Sequence, residues 1–157
     1  MESSMLKFRE ILVPTDLSKE STAAFAIARD LAEASGAKLV LVTVADDSAR
    51  LRVAPLDSPA EMLNMDFNVV ASDLLRLAEE RLQSLAPQLA PGGVETLVVE
   101  GYSPAREIVK VAKERKSDLI VIATHGRTGL AHTLIGSTTE KVVRGAPCPV
   151  LAVPCRS

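Results

Sequence analysis

The sequence predicts an α/β protein built on an open, doubly wound, five-stranded parallel sheet with helices on both faces. Three observations carry that expectation. Short runs of Val, Ile and Leu alternate with longer amphipathic segments. Two of the runs are apolar on both parities, the mark of strands covered on both faces. Turn and cap residues separate the runs, giving the order β-α-β-(loop)-α-β-α-β-α-β, which implies right-handed crossovers.

Glu10-Ile11-Leu12-Val13-Pro14 reads as a short buried strand closed by proline. Ser18 has the chemistry of an N-cap for the next helix, with Glu20 near its positive end. Ala24, Ile27, Ala28 and Leu31 supply one helical face, and Gly36 can end that helix in the left-handed conformation. Lys38 to Val44 is a two-sided apolar strand. From Ala45 to about Asn68 periodicity is lost, with Pro55 and Pro59 interrupting it, and a long loop is expected. Val70, Leu74, Leu77, Ala78 and Leu85 restore a helical stripe, expected to stop before Pro87. Pro91-Gly92-Gly93 is a turn, and Val94 to Glu100 a more polar strand suited to a sheet edge. Ser103-Pro104 starts another helix, with Ala105, Ile108, Val109 and Ala112 facing inward. Asp118 to Ala123 is the second two-sided strand. Ser137 and Glu140 have capping-box spacing, so a helix is expected to start at Ser137, and Pro149 to Pro154 forms the last strand.

The 157 residues fit one domain, 1–157, with the loop at about 45–68. At 47% hydrophobic and 24% charged, the composition argues against disorder. A net charge of −2 and 3% aromatic residues argue against nucleic acid as a partner. The N-terminus carries an early acid and no apolar core, unlike a secretory signal, and no run is long enough for a membrane span. Cys148 and Cys155 flank the last strand, too far apart for a disulfide, as suits a reducing cytoplasm.

Ligands of such sheets sit beyond the carboxyl ends of the strands, where strand order reverses. The stretch from Ala123 to Thr139 lies between a buried strand and a helix start, a place suited to phosphate. Its glycines, Gly126, Gly129 and Gly136, permit close backbone approach, and Ser137 and Thr139 add hydroxyls. The same glycines also suit a tight loop, and Ser137 a simple cap. Gly136→Val is expected to abolish phosphate binding while leaving the fold intact.

These residues are recognisable. The chain resembles the universal stress protein family over nearly its whole length, through Ile11 to Ser18, Gly101 to Ile108, Ser117 to Ile122, Gly136-Ser137 and Ala146 to Leu151. The nucleotide-binding branch of that family is marked by Gly-x2-Gly-x9-Gly-Ser/Thr. This chain keeps Gly126, Gly136 and Ser137 of the pattern and has Ala123 at the first position. The resemblance implies the strand order 3-2-1-4-5 and an adenine nucleotide, ATP, as ligand. Asp16 would face the nucleoside, with Pro14, Thr15 and Val44 beside the adenine. His125, Gly126, Arg127 and Gly129 would line the ribose–phosphate side, and Gly136, Ser137, Thr138 and Thr139 the triphosphate. Residue by residue there are plainer readings: Asp16 as a helix cap, Val44 as core. A methyl at Ala123 would crowd the ribose or phosphate if its backbone needs positive φ, and is expected to be tolerated with a modest loss of affinity if the strand end keeps negative φ.

Mg2+ would come with the nucleotide, held by phosphates and water. His125 and His132 match no zinc spacing, no Walker-type Gly-Lys-Ser/Thr occurs, and no serine has a partnered His and acid. The leading expectation is a cytoplasmic, ATP-binding regulatory protein of the stress response. A slow ATPase and a structural dimer without nucleotide are the alternatives. The resemblance also implies a homodimer through Pro149 to Val153, a short apolar edge.

Overall fold

Strands β1 (Glu10–Pro14), β2 (Lys38–Asp46), β3 (Glu95–Gly101), β4 (Leu119–Ala123) and β5 (Val150–Val153) pair in parallel in the order β3-β2-β1-β4-β5. This is the expected order. The protein is seen in a computed structural model that describes residues 7–46, 67–125 and 135–155. Helices α1 (Phe25–Ser35), α2 (Phe67–Leu89), α3 (Pro104–Arg115) and α4 (Ser137–Gly145) fill the crossovers. The ends of the stretch expected to be a loop, about 45–68, are instead strand and helix, since β2 runs to Asp46 and α2 begins at Phe67. The rest of that stretch lies outside the described residues.

Successive strand residues point to opposite faces, so the sheet separates two apolar layers. Ile11, Val13, Leu41 and Val121 pack with Ala28, Leu82, Leu85 and Leu89 of α1 and α2. Leu12, Val40, Val42, Ile120 and Ile122 pack with Ile108, Ala112 and Val142 of α3 and α4. All five residues of β4 are buried, which explains its apolarity on both parities. β3 is an edge strand of mostly half-buried residues, as its polarity suggested.

Several local expectations are corrected. A 3-10 turn over Glu20–Ala24 precedes α1 with Lys19 at its cap position, and Ser18, one residue earlier, accepts the Ser21 N–H on its Oγ at 3.2 Å. Of the stripe expected for α1, Ala24 and Ala28 are buried and Leu31 packs against the core, but Ile27 is 39% exposed, and Phe25 and Ala32 are buried instead. Both flanks of this helix are apolar, and the large Phe25 ring decides which flank turns inward. Helix α2 continues through Pro87 to Leu89. Pro87 removes the bond to the carbonyl four residues back and crowds that carbonyl, and buried Leu82, Leu85 and Leu89 hold the last turns in place against that cost. Conversely, Leu74 and Leu77, assigned to the inward stripe, are 40% and 52% exposed. Ser103 precedes α3 as expected but makes no side-chain capping bond. Gly36 ends α1 with φ +72°, as expected. The two cysteines are not bonded to each other.

The amino end of the sheet is tied together by charge. Arg115, from the last turn of α3, meets Glu10 of β1 at 2.9 Å and Glu95 of β3 at 2.9 Å. Lys38, which opens β2, pairs with the same Glu95. Ser117 Oγ donates to Glu10 Oε1 at 3.0 Å. Asp118 Oδ2 accepts the N–H groups of Arg9 at 2.8 Å and Glu10 at 3.1 Å, closing the start of β1. One arginine therefore joins a central strand to an edge strand.

Candidate functional site

At the opposite, carboxyl end the sheet splits. β1 and β4 are in register only at Ile11↔Leu119 and Leu12↔Ile120. Beyond that point each strand keeps its outer neighbour: Thr15 N–H donates to Val42 O, and Thr124 N–H to Val153 O, both at 2.9 Å. The strands diverge where the sheet order reverses, the position at which such folds bind ligands. A cavity of about 420 Å3 opens in this wedge, within the range of small-molecule sites.

Ten of the residues singled out from the sequence line this cavity: Pro14, Thr15, Asp16, Val44, Ala123, His125, Gly136, Ser137, Thr138 and Thr139. Gly126, Arg127 and Gly129 lie outside the described residues. Ser21, Val42, Pro104, Ile108, Ile122 and Thr124 also line it and were not foreseen. Val42, Ile108 and Ile122 belong to the apolar layer beneath α3 and α4. In sequence they are indistinguishable from core; only the splitting of β1 from β4 exposes them to a cavity. Ser21 carried a faint signal, lying three residues after Ser18.

The cavity has an apolar wall and two polar ends. Val42, Val44, Pro104, Ile108 and Ile122 form the wall. At one end, Asp16 leaves β1 with its Oδ1 accepting both the N–H and the hydroxyl of Ser18. At the other end, α4 begins at Ser137. The residue before it, Gly136, holds the cap position and makes no side-chain cap. The capping box expected of Ser137 and Glu140 is therefore not formed, because Ser137 is the first helical residue rather than the cap. The amides of Ser137, Thr138 and Thr139 belong to the turn whose donors have no partner within a helix.

Gly136 is needed for closeness rather than for an unusual dihedral. Its N–H donates to Thr124 O at 2.6 Å, with φ −68° and ψ 156°. A Cβ here would stand 2.8 Å from that same carbonyl oxygen. Gly136→Val therefore disturbs the join between β4 and α4, and the expectation that it spares the fold is corrected. Thr139 also differs from expectation. Its hydroxyl is buried and donates to Ala123 O at 2.8 Å, tying the helix to β4. Thr138 and Ser137 are the more accessible hydroxyls.

Ala123 ends β4 in strand conformation and is not one of the described non-glycine residues with positive φ. Its methyl belongs to the apolar layer of Val13, Val121 and Ala24. The backbone conformation at this position thus makes no demand for glycine. His125 Nδ1 lies 2.9 Å from Thr124 Oγ1, and both residues line the cavity. Among the described residues no cluster of three His, Cys, Asp or Glu side chains is placed to hold a metal ion. No described helix is long and apolar enough to cross a membrane.

An open parallel sheet with its cavity at the point of strand reversal defines a doubly wound α/β protein. The profile of the universal stress protein family matches residues 7–154, and the chain belongs to that family. It is 34% identical over 148 residues to the universal stress protein MJ0531 of Methanocaldococcus jannaschii, covering 93% of this chain and 82% of that one. The structure of MJ0577 from the same organism superposes with a TM-score of 0.78 at 27% identity, covering 97% and 99% of the two chains. A universal stress protein crystallised in complex with cAMP superposes with a TM-score of 0.59 at 27% identity, covering 96% and 99%.

Proposed function

We propose that this protein binds an adenine nucleotide, ATP, in the wedge between β1 and β4, and works in the cytoplasm as a regulator of the stress response. The observation that carries the reading is the pairing of an apolar slot with an uncapped helix start across one cavity of about 420 Å3. A flat, weakly polar base suits the wall of Val42, Val44, Ile108 and Ile122. Asp16 suits the nucleoside polar groups as an acceptor. The first-turn amides of α4 suit phosphate oxygens, which need no lysine there. His125 and Ser137 stand on the same phosphate side, and Gly126, Arg127 and Gly129 are assigned to it by the family motif. Gly136, Thr138 and Thr139 complete that end. The family relative in complex with cAMP, itself an adenine nucleotide, supports the class of ligand. Mg2+ would be carried by the phosphates and water, since the donors here are mainly amides and hydroxyls.

Ser137→Pro tests this cleanly. Proline is well tolerated as the first helical residue, and Gly136 already has the extended backbone that a residue before proline requires. The variant removes one amide donor and one hydroxyl while keeping the helix. By titration calorimetry, ATP affinity is expected to fall about 10-fold or more, as for loss of a hydrogen bond to a charged group. Unchanged affinity would move the phosphate away from α4.

A homodimer through β5, over Pro149 to Val153, is part of the same proposal. The ladder to β4 uses the carbonyls of Pro149 and Val153, so by alternation the N–H groups of Val150 and Ala152 face outward. The prolines at 149 and 154 carry no donor. A two-fold antiparallel pairing centred on Leu151, which is 38% exposed, matches each Val150 with the partner's Ala152 and satisfies every outward donor. Ala152→Pro leaves the β4 ladder intact and is expected to sediment as a monomer; an unchanged dimer would exclude this edge.

A further inference from the structure

Behind Asp16 lies a hydroxyl network whose proton directions are fixed by counting hydrogens. Ser21 Oγ donates to Ser18 O at 2.8 Å. Its single hydrogen is then committed, so in the 2.7 Å contact between Thr15 Oγ1 and Ser21 Oγ the threonine is the donor. Thr15 Oγ1 itself accepts the Leu17 N–H at 3.0 Å. Ser18 Oγ accepts the Ser21 N–H at 3.2 Å and donates to Asp16 Oδ1 at 2.5 Å. That oxygen also accepts the Ser18 N–H at 3.0 Å. Thr15 and Ser21 are almost fully buried, so this chain is part of the protein interior up to the carboxylate.

A second observation comes from the backbone. Leu17, between Asp16 and Ser18, has φ +67°. A bulky non-glycine residue in the left-handed region is strained and persists only where its surroundings over-determine it. The network supplies that constraint by holding the N–H groups of Leu17, Ser18 and Ser21. Pinning the entry to the 3-10 turn needs no more than the bond from the Ser21 N–H to Ser18 Oγ. The Thr15–Ser21 pair and the strained Leu17 go beyond that need, and what they fix is the direction of the Asp16 carboxylate at the cavity.

We infer that Ser18 is a positioning residue for the nucleoside end of the site, setting the Asp16 rotamer through Oδ1, with Ser21 and Thr15 as its buttress. The inference rests on the nucleotide reading above. It is tested by measuring ATP affinity for the full chain, Ser18→Ala, Ser18→Thr, Asp16→Ala and the Ser18→Ala/Asp16→Ala double variant. Ser18→Ala is expected to weaken ATP about 10-fold and Ser18→Thr, which keeps the hydroxyl, to restore most of it. In the Asp16→Ala background Ser18→Ala should cost nothing further, a coupling that general loosening of the turn would not produce. Additive losses, or full affinity in Ser18→Ala, would overturn the positioning role while leaving the nucleotide site standing. A parent protein that binds no ATP would instead remove the nucleotide reading, and this inference with it. Where Ser18→Ala fails to fold, Ser18→Cys, with its weak S–H donor, is read by the same criteria.

Discussion

The two ends of the sheet solve opposite problems. At the amino end, Arg115, Glu10, Glu95 and Lys38 satisfy one another, and Asp118 closes the first amides of β1. At the carboxyl end, β1 and β4 part after two registered pairs, helix α4 starts without a side-chain cap, and Leu17 is held in a strained conformation. At the amino end charged side chains pair with one another across three strands. At the carboxyl end the polar side chains are mostly hydroxyls bonded to nearby backbone, and they border the wedge between β1 and β4. The two ends therefore differ in kind: the uncapped helix start and the strained Leu17 border the wedge between β1 and β4, whereas the paired charges lie at the other end, where Lys38 and Glu95 border a second cavity.

That contrast predicts separable consequences. The largest is expected at Arg115. Arg115→Met leaves Glu10 and Glu95 close together without their shared cation, and is expected to lower unfolding free energy by about 2–3 kcal/mol, as for a half-buried pair that loses one partner. Chemical denaturation measures this, and ATP affinity of the folded variant should be unchanged; a matching loss of affinity would erase the separation between the ends. Ser137→Pro should show the reverse, with lost affinity and a stability change within about 0.5 kcal/mol. A smaller effect follows from acid. The Glu95 carboxyl is held below its ordinary range by hydrogen bonds from Lys38 first and Arg115 next. That of Asp118 is held down by the N–H groups of Arg9 first and Glu10 next. Their stabilisation is complete above the ordinary carboxylate pKa of about 4 and is lost as pH falls through the lower folded values. Acid unfolding should therefore begin below about pH 4, and Asp118→Ala should flatten its onset. An Asp118→Ala variant with an unchanged acid limb would contradict the assignment.

Much of the architecture was legible because period and punctuation agree. The two-sided apolar runs at Lys38 to Val44 and Asp118 to Ala123 became the buried strands β2 and β4, and Gly36 took the left-handed cap. Where pattern was ambiguous, packing decided. The α1 segment is apolar on both flanks, so periodicity alone did not choose between Ile27 and Phe25. Pro87 signals a stop, but the lost bond and the crowding of the carbonyl four residues back are outweighed by the burial of Leu85 and Leu89. Of the candidate site, the polar residues announced themselves through caps, glycines and family motif. The apolar wall did not, since Val42, Ile108 and Ile122 look like core until strand divergence opens a space beside them. Gly136 showed a different limit: the sequence marks a glycine, but only coordinates reveal that a carbonyl 2.8 Å from its absent Cβ is the reason.

Backbone amides are the groups proposed to meet the nucleotide, and amide-resolved NMR reads them one by one. Titrating the labelled protein with Mg2+ and ATP should shift the resonances of Ser137, Thr138 and Thr139 together with those of Thr15 and Asp16, and leave Arg9, Glu10 and Asp118 at the opposite end unmoved. Saturating nucleotide that leaves the α4 amides in place would contradict that proposal.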